Sequence, residues 1–351
     1  MITKLNIKNM RGLNQFSLEN ISQLTLFSGE NNVGKSTLLE SVFILLACNN
    51  PDLFIKINAM RGLLPVSRPE FMWEHLFYRS EMDSAISISC EIDGKVLSVS
   101  LERDETFIFQ SAVADTIGKD FPAVPGSYPL KISYNYDGKK SFGHYVLREN
   151  GMGVHWKAKP EKLPKIAQYI SPRYGDSLSD SAELFGKVEL IDKKEMLIDA
   201  LRLIDKDIVD ISTILVDKKG YLYVRRQNGT RLPLFAMGDG INRLAIVLCS
   251  LITNSGGVLL LDEIENGVHY SAYDDLWKTL EKIALETQTQ LFITTHSYEC
   301  IKSAVSSLQH SECRKNLLSY VRLGRKGEDT VAHMFSAESL SLAISSEMEI
   351  R

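Results

Sequence analysis

The chain has 351 residues, enough for one large α/β core with an insertion or for two domains. Its 44% hydrophobic and 24% charged content is that of an ordinary globular protein, and a net charge of −4 removes any demand for a nucleic-acid partner while leaving room for a local basic groove. Five scattered cysteines (Cys48, Cys90, Cys249, Cys300 and Cys313) form no C-x-x-C pair, which excludes a disulfide frame or zinc site and suits free thiols in a reducing compartment.

Residues 2–8 and 13–18 alternate in polarity around Met10-Arg-Gly12, which predicts a small hairpin. No basic-then-apolar export signal is read there, and the expected location is cytoplasmic. Leu24-Thr-Leu-Phe27 is a short apolar run that suits a buried strand. It leads into Gly29-Glu-Asn-Asn-Val-Gly-Lys-Ser-Thr37, which reads G-x-x-x-x-G-K-S. A helix over 34–48 follows. Strand, glycine loop and helix together point backbone N–H groups and a helix N-terminus at a phosphate. The pattern predicts an ATP site lined by Asn31, Asn32, Gly34, Lys35, Ser36 and Thr37. Lys35 reaches the β- and γ-phosphates, and Ser36 holds Mg²⁺. The plain alternative is a glycine turn that happens to precede a helix.

Residues 49–80 are mixed, with Arg61, Arg68 and Arg79 among aromatics. From Ala85 to about Val154, alternating segments (Ala85–Cys90, Lys95–Leu101, Lys131–Tyr136) are separated by Asp93-Gly94 and Asp137-Gly138, which predicts an antiparallel sheet with one solvated face. Residues 176–205 read as helical. Ile208–Val216, Tyr221–Arg225 and Arg231–Phe235 read as strands. After Met237 the rhythm becomes helix, apolar strand, helix, apolar strand, helix, the sign of a parallel sheet covered on both faces. The longest apolar runs, such as Leu244–Ile252, are too short to span a bilayer, so no membrane partner is expected.

Met237-Gly-Asp-Gly240 places flexible backbone at the start of a helix expected over Asn242–Thr253, an anion-binding geometry. Gly257-Val-Leu-Leu-Leu-Asp-Glu263 is an apolar strand ending in two acids, and a buried parallel strand delivers its last residues to the edge where ligands bind. Asp262 is the expected Mg²⁺-shell ligand and Glu263 the general base for the attacking water. The alternative is a core strand whose acid caps a helix near Val268. The next strand, Gln290–Thr295, ends in His296, which suits a γ-phosphate contact or else a helix cap.

The order of phosphate loop, late glycine turn, Asp-Glu strand and Thr294-Thr-His296 resembles the ATP-binding-cassette ATPases of the SMC, RecF and OLD (overcoming lysogenization defect) group. Leu261-Asp-Glu-Ile-Glu-Asn-Gly-Val-His-Tyr270, Thr294-Thr-His-Ser-Tyr-Glu-Cys-Ile301 and the segment from Ala337 to Arg351 resemble the stand-alone OLD-like ATPases of bacterial anti-phage modules. The resemblance covers residues 1–48 and roughly 166–351. It implies an α/β fold of the P-loop NTPase class: an ABC ATPase head with an antiparallel lobe, a parallel core sheet flanked by helices and no long coiled coil. A single ATPase domain then spans 1–351, with a lobe or insertion at 49–165. A helical and strand segment follows at 166–235, and the signature, acid-strand and histidine half at 236–351.

The resemblance also implies a homodimer or higher oligomer that sandwiches ATP, with Gly238 and Gly240 acting in trans and Asn266-Gly267 at the seam. Arg11 resembles an arginine that meets the nucleotide, with a simple turn cation as the alternative. Asp239 stands where many relatives carry a small hydroxyl residue, and its carboxylate repels phosphate unless it faces away or pairs with Arg243. Gln168 is the candidate for the glutamine loop, or an ordinary strand residue. The stretch after His296 is too short for a Toprim nuclease domain. The implied output is ATP-dependent dimerisation that senses a trigger and controls a separate effector, a toxin or nuclease encoded nearby. The alternative is RecF/SMC-like DNA binding in repair, with Arg61, Arg68, Arg79, Arg225 and Arg226 on phosphates, against which stands a merely solvated basic face.

Overall fold

Alternating residues make strands with one buried face here, and continuous apolar runs make strands buried on both. The computed structural model describes residues 1–63, 69–104, 129–148, 151–160, 163–172, 178–308, 317–346 and 350. The strands in chain order are β1 (Ile2–Met10), β2 (Leu13–Glu19), β3 (Leu24–Gly29), β4 (Ile86–Ile92), β5 (Lys95–Arg103), β6 (Leu130–Tyr136), β7 (Lys139–Arg148), β8 (Gly151–Ala158), β9 (Ala167–Ile170), β10 (Ile208–Val216), β11 (Lys219–Arg226), β12 (Arg231–Pro233), β13 (Val258–Leu261), β14 (Gln290–Thr294), β15 (Leu318–Lys326) and β16 (Asp329–Phe335). The helices are α1 (Lys35–Ala47), α2 (Leu53–Met60), α3 (Leu178–Leu190), α4 (Lys194–Ile204), α5 (Asp239–Thr253), α6 (Tyr273–Thr287), α7 (Tyr298–Leu308) and α8 (Ala337–Ser345).

Two compact units share the chain. The first comprises Met1–Ile21, Asn31–Lys165 and Leu323–Ala332, and the second comprises Ser22–Glu30, Ile166–Arg322 and His333–Arg351.

The first unit is built on an antiparallel sheet in the order β2-β1-β4-β5-β6-β7-β8. The expected hairpin is present, with Ile7 opposite Phe16 and Met10 opposite Leu13. The alternating segments of the lobe pair as adjacent strands, Val99 facing Ile88 on one side and Tyr134 on the other. Ile86, Ile88, Leu97, Val99 and Leu101 are buried on one face, while Ser87, Ser89, Ser98 and Ser100 fall on the other. Helix α1 packs on β1, β4 and β5 and buries residues around nearly its whole circumference. Leu38, Val42 and Leu45 are fully enclosed, which suits a helix with little polar face.

The second unit holds the parallel strands. Leu291 of β14 pairs with Leu24 of β3, and Val258 of β13 pairs with Gln290 on one side and Ala167 on the other. The full sheet order is β16-β15-β3-β14-β13-β9, and the tip of its β15–β16 hairpin belongs to the first unit. A separate sheet, β10-β11-β12, precedes α5. One apolar core joins these elements through Leu24, Leu26, Phe185, Leu248, Leu259, Trp277, Leu291 and Tyr320.

Three expected boundaries move. The 176–205 helix is two helices, broken where Asp192 takes a left-handed φ of 54°. The Arg231–Phe235 strand ends at Pro233, which has no N–H to continue the ladder, and Leu234–Met237 coil into a 3-10 turn. The helix expected near Val268 begins at Tyr273, after a 3-10 turn over Tyr270–Ala272. Arg68, Cys313 and, in the closing segment, 347–349 and Arg351 lie outside the described residues.

Candidate functional site

The phosphate-loop motif begins in the second unit and ends in the first, the chain passing over between Glu30 and Asn31. Its backbone takes conformations that glycine and asparagine adopt most easily. Gly29 has φ 137°, Asn32 φ 61° and Gly34 φ 108°. Gly34 starts α1 with no side-chain cap, and no acidic residue lies in the first turn. A Cβ on Gly34 lies 3.0 Å from Leu13 Cδ2, so glycine is needed there for space as well as for φ. Lys35 is 9% exposed, and Thr37 and Glu40 on the same helix are buried.

The loop is tied from behind. Arg325 Nη2 donates to the Asn32 carbonyl at 2.9 Å, and Thr330 Oγ1 to the Val33 carbonyl at 2.9 Å. Both donors come from the tip of the β15–β16 hairpin. With their carbonyls held away, Asn32 and Val33 keep their turn conformation, and sequence reasoning gave neither donor a role. Only the tertiary return of the hairpin brings them in.

Arg11 sits in the β1–β2 turn with φ 48°. Its guanidinium is salt-bridged to Glu40 of α1, which is 2% exposed and also accepts from Arg61 Nε at 2.7 Å. Nearby, His75 Nε2 lies 2.9 Å from Asn58 Oδ1. Burial pushes His75 down to about 4, and the nearby Arg11 and Arg61 charges act in the same direction. The turn cation is thus anchored to the helix that follows the phosphate loop.

In the second unit, β13 carries Asp262 and Glu263 to the carboxyl edge of the parallel strands. Asp262 is 3% exposed and accepts from Thr294 Oγ1 at 2.5 Å and from Tyr169 OH at 2.9 Å. The same Thr294 hydroxyl accepts from the Glu263 backbone N–H at 2.9 Å. One hydroxyl therefore fixes both acids. Glu263 has φ 51°, a left-handed conformation that costs energy for a side chain with a Cβ, and its Oε2 accepts from Asn266 Nδ2 at 2.7 Å. Asn266 thus serves Glu263 within the chain, whatever it does at a seam.

Arg243 of α5 does not pair with Asp239, which is exposed. It is 8% exposed and donates to four carbonyls: Ser171 at 3.0 Å, Pro172 at 2.9 Å, Asp262 at 2.7 Å and Glu263 at 3.1 Å. Burial lowers its pKa, opposed by the charges of Asp262, Glu263 and Glu265. The planar guanidinium fork bridges the ends of β9 and β13 in a way that an ammonium cannot.

The two signature glycines differ. Gly238 has φ 99° and ψ 154°, a conformation essentially confined to glycine, and a Cβ there meets nothing within 4 Å. Gly240 is a steric position: a Cβ lies 1.9 Å from the Gly267 carbonyl oxygen. The signature turn and the loop after the acids therefore touch backbone to backbone. Gln168 lies in β9 opposite Leu259.

His296 follows β14, with its side chain 51% exposed. Glu265 accepts from its backbone N–H at 2.7 Å and lies 2.9 Å from its Nδ1. Of the arginines weighed for DNA contacts, Arg61 is paired with Glu40 as above, and the other described ones are paired too. Arg79 meets Glu328, Arg225 lies 3.8 Å from Asp210, and Arg226 is 2.6 Å from Asp207. Cys48, Cys90, Cys249 and Cys300 are free and buried, each thiol pushed up to about 12 by burial. Among the described residues no group of three or more His, Cys, Asp or Glu could hold a metal on its own, and no helix is long and apolar enough to cross a membrane.

The chain is 22% identical over 326 residues to a Helicobacter pylori protein named ATP/GTP phosphatase, covering 86% of this chain and 87% of that one. It is 41% identical over 89 residues to an uncharacterised protein of Methanocaldococcus jannaschii, 25% of this chain and 41% of the relative. An SMC head solved with the C-terminal winged-helix domain of ScpA superimposes with a TM-score of 0.52 at 12% identity, covering 97% of this chain and 99% of that one, a likeness of fold alone. The fold is that of an ABC-type ATPase head, and among the described residues no helix exceeds 15 residues, so no long coiled coil is present. Residues 24–301 match the family described as "AAA domain, putative AbiEii toxin, Type IV TA system". With the phosphate loop, the acid-tipped strand and this match over most of its length, the chain belongs to that AAA-domain family of P-loop ATPases.

Proposed function

We propose that this protein binds ATP with Mg²⁺ and hydrolyses it as a homodimer, and that ATP-gated dimerisation controls a separate effector protein in bacterial anti-phage defence. The observation that carries the reading is the uncapped start of α1 behind a loop whose glycines and asparagine hold left-handed backbone, in a chain of an AAA-domain family. An uncapped helix N-terminus with a lysine at its first residue is suited to a polyphosphate.

Each group has a task. Backbone N–H groups from Asn31 to Thr37 cradle the phosphates, and Lys35 supplies a compact positive charge. Ser36 and Asp262 would hold Mg²⁺, which when bound neutralises developing charge on the phosphates. The fit is chemical: Asp262 is aimed by two hydroxyl donors, as a ligand carboxylate is. Glu263, oriented by Asn266, receives the proton of the attacking water. His296 contacts the γ-phosphate, Arg11 the nucleotide, and Gly238 and Gly240 the nucleotide of the partner. The name of the Helicobacter pylori relative supports phosphate hydrolysis, with ATP and GTP both to be tried. The four buried free thiols suit a cytoplasmic setting.

The test measures ATP and GTP turnover, and mass in solution with and without Mg-ATP, for the wild type and Glu263→Gln. The substituted protein is expected to retain ATP and persist as a dimer. Unchanged hydrolysis removes Glu263 from its role. Co-purification from the native operon tests the effector, and phage or nucleic acid degraded by this chain unaided argues against it.

A further inference from the structure

Glu40 is a buried acid that hydrolysis leaves without a task. It is 2% exposed and sits on α1, the helix that Lys35 opens. Both of its carboxylate oxygens are engaged. Oε2 accepts from Arg11 Nη1, and Oε1 accepts from Arg61 Nε at 2.7 Å. The Arg11 side chain is itself only 10% exposed. A pair this deep is a weak source of stability, because both charges leave water to form it. Its presence therefore calls for another reason.

The turn that carries Arg11 adjoins the phosphate loop. Thr330 Oγ1 donates to the Val33 carbonyl at 2.9 Å and lies 3.2 Å from the Gly12 carbonyl. Leu13 Cδ2 stands 3.0 Å from where a Cβ on Gly34 falls. The Arg11 backbone N–H donates to the Leu76 carbonyl at 2.9 Å. Its φ of 48° costs energy in a residue with a Cβ, and such strain gathers at functional sites. The main chain of the turn is thus fixed, and the long side chain is what Glu40 fixes. An arginine that is free to rotate loses entropy when it grips an anion, whereas one already held loses little.

An acid close to an anion site opposes the anion unless its charge is spent, and two guanidinium groups spend it. Arg61, at the end of α2, takes the oxygen that Arg11 does not. We propose that Glu40 is a positioning residue that holds the Arg11 guanidinium ready for a bound triphosphate, with Arg61 steadying the carboxylate. This rests on the reading of the chain as an ATP-binding protein.

The experiment uses the full chain and measures ATP affinity by calorimetry, steady-state turnover and melting. The variants are Arg11→Ala, Glu40→Gln, the two combined, and Arg61→Ala with and without Arg11→Ala. Arg11→Ala is expected to raise Kd and KM for ATP about tenfold, the scale of one charge-assisted hydrogen bond, while kcat changes by less than about twofold. Glu40→Gln keeps the shape but not the charge and should show the same split at about three- to tenfold. The double variant should bind ATP no worse than Arg11→Ala alone, since Glu40 acts through that arginine. Arg61→Ala covers the case in which Glu40→Gln fails to fold. It should raise KM about two- to threefold, and only while Arg11 is present.

A KM unmoved by Arg11→Ala, additive losses in the double variant, or an Arg61→Ala effect that persists without Arg11 overturns the proposal, while Lys35-dependent ATP binding keeps the parent reading. A wild type without Lys35-dependent ATP binding overturns both.

Discussion

The phosphate loop and the acid-tipped strand solve different problems with different materials. The loop presents main chain: Gly29, Asn32 and Gly34 bend it, and Arg325 and Thr330 hold its carbonyls back. The strand end presents side chains, aimed by other side chains: Thr294 joins both acids, Asn266 holds Glu263, and Glu265 holds His296. A backbone site depends on conformation and space, so it fails when a glycine or a tie is altered. A side-chain site depends on a chain of hydrogen bonds, so it fails one link at a time.

The largest effects test whether the two regions serve one reaction. Lys35→Ala is expected to lower kcat/KM for ATP by at least about 100-fold, and Glu263→Gln to lower kcat by about 10²–10⁴-fold with nucleotide still bound. A defect in only one of the two in a turnover assay breaks the pairing. Next, Thr294→Val removes the hydroxyl shared by the acids and should cost about 10–100-fold in turnover, with Thr294→Ser restoring most of it. Equal failure of Val and Ser, with normal melting, refutes the hydroxyl as the link.

Smaller effects separate conformation from space. Gly240→Ala drives a methyl into the Gly267 carbonyl and should destabilise by about 1–3 kcal/mol or more in urea unfolding. Gly238→Ala meets no atom and should cost about 1–3 kcal/mol through φ alone, with m unchanged. Thr330→Val removes one tie to the loop. It should weaken ATP binding by about fivefold, about 1 kcal/mol, while kcat at saturation holds.

The smallest effect is a pH slope. His75 is neutral when folded, held down to about 4 against an ordinary 6.5. The unfolded chain therefore binds more protons between those values. This stability is complete above 6.5 and is lost as pH falls towards about 4. Replacing His75 with Gln should flatten the slope of stability over that window in urea unfolding. An unchanged slope assigns it to other groups.

The phosphate loop was legible because its demands fall on neighbours in sequence: a glycine spacing, a strand before and a helix after. The alternating strands β4, β5 and β6 were legible for the same reason, as were the apolar runs of β13 and β14. Element edges were less so, because Pro233 and Asp192 act through a missing donor and a single φ. Arg243 was the instructive miss. Sequence offered pairing with Asp239, four residues away, as one of two alternatives, but burial favours four carbonyls at the ends of β9 and β13 that accept from both its Nη atoms.

The sequence by itself determined where the short motifs lie and which local geometry each adopts, since spacing, periodicity and glycine preference act over a few residues. Tertiary structure alone decided what aims them: the hairpin tip behind the loop, the threonine between the acids, the glutamate behind the histidine. Hydrogen-bond partners in a folded interior are chosen by burial and proximity in space, and the order of residues along the chain carries little trace of that choice.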